Sequence, residues 1–145
     1  MNWKQEAIEK LGQYDAKRQS LRSIPTEIAR LETVAQRIRS AQMDGVAVKS
    51  SGSRQEDMLL NNIIQREELN WSLEQAQQWV SLVDSGLSVL GDEERLILDR
   101  FYIRGEKGAA DSLAGDLAMD VKTVYRRKYA ALRRFTIALW GCVES

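Results

Sequence analysis

The 145-residue sequence has no histidine and only one cysteine, Cys142. Without an imidazole, most zinc-ligand sets and the Cys and His catalytic pair are excluded. A lone cysteine cannot close a disulfide within the chain, so Cys142 reads as a small thiol near the end of the sequence with no redox task. Gly45 and Gly52 are not spaced as a phosphate loop, no GK[ST] follows them and no strand pattern precedes them, so a nucleotide site is not expected and no cofactor is called for. No apolar run approaches the roughly 18 residues of a membrane span, and MNWKQEAIEK is not a basic segment leading into an apolar one. Neither a membrane partner nor a secretory signal is expected, and the expected location is the cytoplasm.

The chain also lacks an excess of either charge, with 21 Lys plus Arg against 21 Asp plus Glu. That balance conceals a strong asymmetry. Residues 121–145 carry six cations and one anion, whereas residues 92–120 carry four cations and eight anions. A polyanion would meet one basic helix on a neutral body, which favours modest non-specific affinity and reliance on a partner or on dimerisation.

The basic helix follows a short connection. In Ser112–Phe135, SLAGDLAMDVKTVYRRKYAALRRF, one short apolar face is formed by Leu113, Ala114 and Leu117, and a longer one by Val124, Ala131, Leu132 and Phe135. Ala118, Met119 and Asp120 fit the turn of a helix-turn-helix, with Asp120 as N-cap of the second helix. That helix carries Lys122, Arg126, Arg127, Lys128, Arg133 and Arg134 with no acid before Glu144. Upstream, GDEERLILDRFYIRG offers Asp92 as N-cap, acids in the first turn, and an apolar set at Leu96, Ile97, Phe101 and Ile103. The carboxylates of Asp92, Glu93 and Glu94 suit a helix start better than acid and base chemistry, because no other polar constellation converges on them.

The acidic start, the ERLIL run, TVYR and ALRRF together resemble region 4 of sigma-70 type initiation factors over about residues 90–135. From about Tyr14 onward, SIPTEIARLE, GSRQEDMLLNNI, REEL and ERLILDRFYI are similar to the ArpU-like late-gene regulators of phages and prophages of Gram-positive bacteria. The sigma resemblance implies base-reading positions at Val121, Lys122, Tyr125 and Arg126. Arg127, Lys128, Arg133 and Arg134 are then phosphate-holding candidates, and Tyr129 lies within the same interface. The sequence departs from the sigma pattern at Val121, where a polar residue is usual, at Ala118, where glycine is favoured in the turn, and in the longer loop around Arg104–Ala110.

The N-terminal part reads as paired helices. Trp3, Ala7, Ile8, Leu11 and Tyr14 mark an amphipathic helix to about Leu21, and Pro25 predicts a break or sharp kink before the next. Ile28, Leu31, Ala35 and Ile38 then form a coiled-coil seam, and MDGVAVKSSGS, residues 43–53, predicts a flexible loop. A long helix from Arg54 to about Ser88 has its seam at Leu69, Leu73, Ala76, Val80, Val83, Leu87 and Leu90. Leu60, Ile63 and Ile64 are expected to widen its apolar stripe, Asn61 and Asn62 to set register, and Trp71 and Trp79 to sit in helix contacts. This seam is expected to pack on the N-terminal helices or on the same helix of another subunit.

The sequence therefore predicts an all-α protein, with a helical hairpin or coiled-coil module over residues 1–89 and a sigma region 4-like helix-turn-helix over residues 90–145. The expected function is a DNA-binding transcription regulator, not an enzyme. Expected partners are double-stranded DNA, RNA polymerase near a promoter, and a second copy bound through the helical module. Two rival readings remain, a phage DNA-packaging recognition protein and a helical protein-binding adaptor that leaves the basic helix solvated.

Overall fold

Asn2 starts the first helix by accepting the Gln5 N–H on its side chain at 3.2 Å, one of the donors a helix start leaves unpaired. The computed structural model describes residues 2–43 and 51–141, and among these the regular structure is all helical, with no strand. The helices are α1 (Trp3–Gly12), α2 (Tyr14–Met43), α3 (Ser51–Ser88), α4 (Asp92–Leu98), α5 (Ala109–Asp116) and α6 (Val121–Trp140), with a π-helical turn, Asp99–Ile103, continuing α4. Among the described residues no helix is long and apolar enough to cross a membrane.

The first break falls at Gln13, and at Pro25, where the sequence suggested a break or sharp kink, α2 is unbroken. Pro25 lies inside α2 on an exposed face, where the carbonyl deprived of its N–H partner can turn to water. Burial of Tyr14 before it and of Leu31 and Ala35 after it favours keeping the helix continuous. Of the expected loop over 43–53, residues 44–50 lie outside the described residues, while Ser51 to Ser53 already belong to α3.

By contacts the chain divides into two units, residues 19–77 and residues 1–18 with 78–145. The sequence placed the division at residue 89 instead. It differs because α1 and the last turns of α3 find cover in the C-terminal helices: α6 packs on α1, α4 and α5, and the Trp3 and Trp140 rings lie 5.2 Å apart.

Within residues 19–77, α2 and α3 meet through buried Leu31, Ala35, Asn62 and Ala76. Asn62 donates from Nδ2 to the Leu31 carbonyl at 2.8 Å and accepts from Arg66 Nε at 2.8 Å, so the buried amide is partnered on both ends. Leu60, Ile63 and Ile64 do not widen this seam but are exposed, and so is Trp71, at 64% of its surface. The expected helix contact belongs to Trp79 alone.

Within the other unit, Trp79 Nε1 donates to the Lys10 carbonyl at 3.0 Å and carries Lys10 Nζ 3.7 Å from its ring centroid. The Tyr14 hydroxyl donates to Asp84, tying the start of α2 to the end of α3. Helix α4 is capped differently from expectation: Gly91 holds the N-cap position and donates its N–H to Glu94 Oε1 at 3.1 Å, while Asp92 lies inside the helix and pairs with Arg95 at 2.6 Å. The π-helical turn closes with the Arg104 N–H on the Asp99 carbonyl at 2.7 Å. Arg100, on that turn, reaches Ser112 Oγ at 3.0 Å and Asp116 at 2.7 Å, which ties the middle and end of α5 to the turn.

Candidate functional site

Local sequence determines how α5 hands over to α6. Helix α5 ends with the Met119 N–H on the Ala114 carbonyl at 3.1 Å and the Ala118 N–H on the Gly115 carbonyl at 3.4 Å. This is the Schellman pattern, which requires a left-handed residue just past the helix. Ala118 occupies that place at φ 52°, where glycine would be unstrained. Asp120 then turns the chain into α6 with extended backbone and accepts the Thr123 N–H at 2.9 Å. Its hydrogen bonds from Thr123, with Arg126 nearby, hold the Asp120 carboxyl below the usual range. Ile97, Leu113 and Val124 form the small core beneath, ringed by Leu96, Phe101, Ala114, Leu117 and Met119. One side chain from each of α4, α5 and α6 therefore fixes the angle at which α6 is presented.

Val124, Ala131, Leu132, Phe135 and Thr136 are buried, so the other side of α6 faces solvent. Exposed there are Lys122, Arg126, Tyr129 and Arg133, spaced 4, 3 and 4 residues along one stripe, with Val121 and Tyr125 beside them. Tyr125 is 48% and Tyr129 59% exposed, a large share for aromatic rings. Lys4 Nζ lies 5.9 Å from the Tyr129 ring centroid.

The remaining cations of α6 are engaged within the fold. Arg127 Nη1 pairs with Glu93 Oε1 at 2.5 Å. Arg134 pairs with Glu94 and donates to the Val89 carbonyl at 3.0 Å. Lys128 Nζ sits among rings, 4.7 Å from the centroid of Phe101, 4.9 Å from Tyr125 and 5.7 Å from Tyr102. Desolvation there, with a smaller effect of Lys4, lowers the Lys128 pKa. These partners were not assigned from the sequence, because Glu93 and Glu94 lie 34 and 40 residues from the arginines they meet. The only hint was the run of acids opening α4.

Between α4 and α6 a cleft of about 220 Å³ is lined by Glu93, Glu94, Ile97, Arg127 and Ala130. It is smaller than the about 300 Å³ at which small-molecule sites begin, and its charged groups are already paired, Glu93 with Arg127 and Glu94 with Arg134. The exposed stripe of α6 is thus the most distinctive surface of this unit. The chain matches no protein-family model, no curated protein and no solved structure.

Proposed function

We propose that the chain is a DNA-binding transcription regulator that lays α6 in the major groove, with α5, the Ala118 turn and α6 acting as a helix-turn-helix of the sigma region 4 kind. The observation that carries this reading is the stripe of Lys122, Arg126, Tyr129 and Arg133, exposed on a helix whose start is fixed by a Schellman turn and an Asp120 cap. Lys122 and Arg126 present donors to base edges, and Tyr125 adds a ring that can pack on a thymine methyl. Arg133, further along the same stripe, is the phosphate contact with fewest competitors. Arg127 and Arg134 join only by exchanging a carboxylate for a phosphate, and Lys128 chiefly buttresses the rings beneath the interface.

The resemblance to ArpU-like late-gene regulators extends the proposal to phage or prophage transcription, in cooperation with RNA polymerase and with helices α1 to α3 as the module for partners or a second copy. The test is titration of fluorescent duplexes at several salt concentrations, using fragments selected from the genome that encodes the chain. Binding whose logarithm falls linearly with the logarithm of salt supports the proposal. Salt-independent behaviour or no binding rejects it in favour of a protein-binding adaptor. Discrete rings on duplex DNA, seen by light scattering, favour the packaging reading.

A further inference from the structure

Helix α3 carries apolar side chains on two sides within residues 19–77. One side holds buried Asn62 and Ala76 against α2. The other is a stripe of Leu60, Ile64, Glu67, Trp71 and Glu74 at spacings of 4, 3, 4 and 3, flanked by Ile63. Leu60 is 55% and Trp71 64% exposed, which places large apolar surface in water with no cover among the described residues. Its polar surroundings are of one sign. Glu56, Asp57, Glu67, Glu68 and Glu74 are all exposed, while the two cations of α3 are Arg54 at its first turn and Arg66, which is bonded to Asn62.

That charge decides what can cover the stripe. The same face of another copy brings acids against acids, and nucleic acid is repelled. Helix α2 supplies cations, but its exposed side chains over residues 19–42 include no large apolar one. The complementary surface is α6, where exposed Arg126 and Arg133 stand seven residues apart, as Glu67 and Glu74 do on α3, with exposed Tyr129 between them as Trp71 lies between the acids. Laid antiparallel, that spacing brings Glu67 to Arg133, Trp71 to Tyr129 and Glu74 to Arg126.

We propose that the outward stripe of α3 docks on the exposed stripe of α6 of a second copy of this chain. The contact joins two different surfaces, so it either is made twice in a closed dimer or continues from copy to copy. Its consequence for DNA rests on the reading of α6 above: an α6 held by another copy is not free for the groove, so self-association and duplex binding compete.

Sedimentation velocity of the full chain without DNA tests this directly. Wild type is expected to associate as concentration rises and to dissociate as salt is added. Two charge-reversed variants, Glu67→Arg with Glu74→Arg and Arg126→Glu with Arg133→Glu, change only exposed residues. Each alone should lose association by about tenfold or more. Mixing the two should restore a one-to-one complex, because an acidic α3 again meets a basic α6. A wild-type chain that stays monomeric overturns the proposal, as does a mixture that fails to associate. Association that survives both reversals but is lost in Leu60→Ser with Ile64→Ser assigns the stripe to its own copy and overturns it too. A duplex titration separates the two ideas: the α3 variant keeps α6 intact and should bind duplex at least as tightly as wild type. Duplex binding by a monomeric wild-type chain removes the docking contact alone, whereas wild-type self-association with no duplex binding by the monomeric α3 variant removes the DNA reading alone.

Discussion

The ring of Phe135 lies so close to the backbone of Gly86 that a methyl group there would come within 2.6 Å of Cε2 and 2.8 Å of Cδ2. Gly86 costs α3 some helix stability, by about 1 kcal/mol relative to alanine, and the close approach of α6 is what it permits. Phe135 is fully buried and cannot swing away. Gly86→Ala is therefore expected to destabilise the chain by about 1 to 3 kcal/mol despite the better helix propensity. Denaturant unfolding checks this, and adding Phe135→Leu should recover part of the loss. A Gly86→Ala chain more stable than wild type would show that the helices do not approach this closely.

Ala118 gives the opposite expectation. Its left-handed backbone carries a steric penalty that glycine avoids, and glycine loses part of that gain through its greater freedom when unfolded. Ala118→Gly should raise stability by up to about 1 kcal/mol, without altering duplex binding because the side chain reaches neither stripe. Thermal unfolding reads the first effect and the fluorescent duplex the second.

How much of this was legible in the sequence depended on how local the cause was. The Asp120 cap and the inward set of Val124, Ala131, Leu132 and Phe135 follow from spacing over a few residues, and those features are present. The Pro25 break is absent because a single proline costs a limited amount and α2 is held by burial on both sides of it, at Tyr14 before and at Leu31 and Ala35 after. Trp71 and Trp79 share a spacing but not an environment: only Trp79 has the Lys10 carbonyl within reach, and that pairing spans 69 residues. The same reason hid the carboxylates on Arg127 and Arg134, which divide the six cations of α6 into free and engaged sets.

Tyr14 and Asp84 predict a pH dependence at the alkaline end. Burial, and then the hydrogen bond and charge of Asp84, push the Tyr14 hydroxyl up to about 12. The folded chain thus holds the proton more tightly than the unfolded chain, whose value is near 10.0. Stability from this group is fully present below about pH 10 and is lost as pH rises toward 12. Absorbance of the phenolates should show Tyr14 titrating late, with that late component missing in Tyr14→Phe. The same substitution should cost about 1 kcal/mol at neutral pH and flatten the alkaline loss.

The clearest expectation for DNA contrasts two adjacent arginines. Arg133 and Arg134 are neighbours on α6 and carry equal charge, so a purely electrostatic account of the helix treats them alike. In the fold they differ: Arg133 lies on the exposed stripe with Lys122, Arg126 and Tyr129, whereas Arg134 is bound to Glu94 and to the Val89 carbonyl. A phosphate contact by Arg133 releases a counterion at no cost to an internal pair, but one by Arg134 must first break two bonds. Arg133→Ala should lower the salt slope of duplex binding by about one unit and weaken matched and scrambled duplexes alike. Arg134→Ala should leave the slope nearly unchanged and lower thermal stability instead. Arg126→Ala, two stripe positions nearer the start of α6, should lose about 1 to 3 kcal/mol on the preferred site and relax selectivity at particular base pairs. Salt slopes from matched and scrambled duplexes check all three. Equal slopes for the Arg133 and Arg134 variants would remove the distinction between free and engaged cations, and an Arg126 variant that weakens both duplexes equally would show that this side chain does not read sequence.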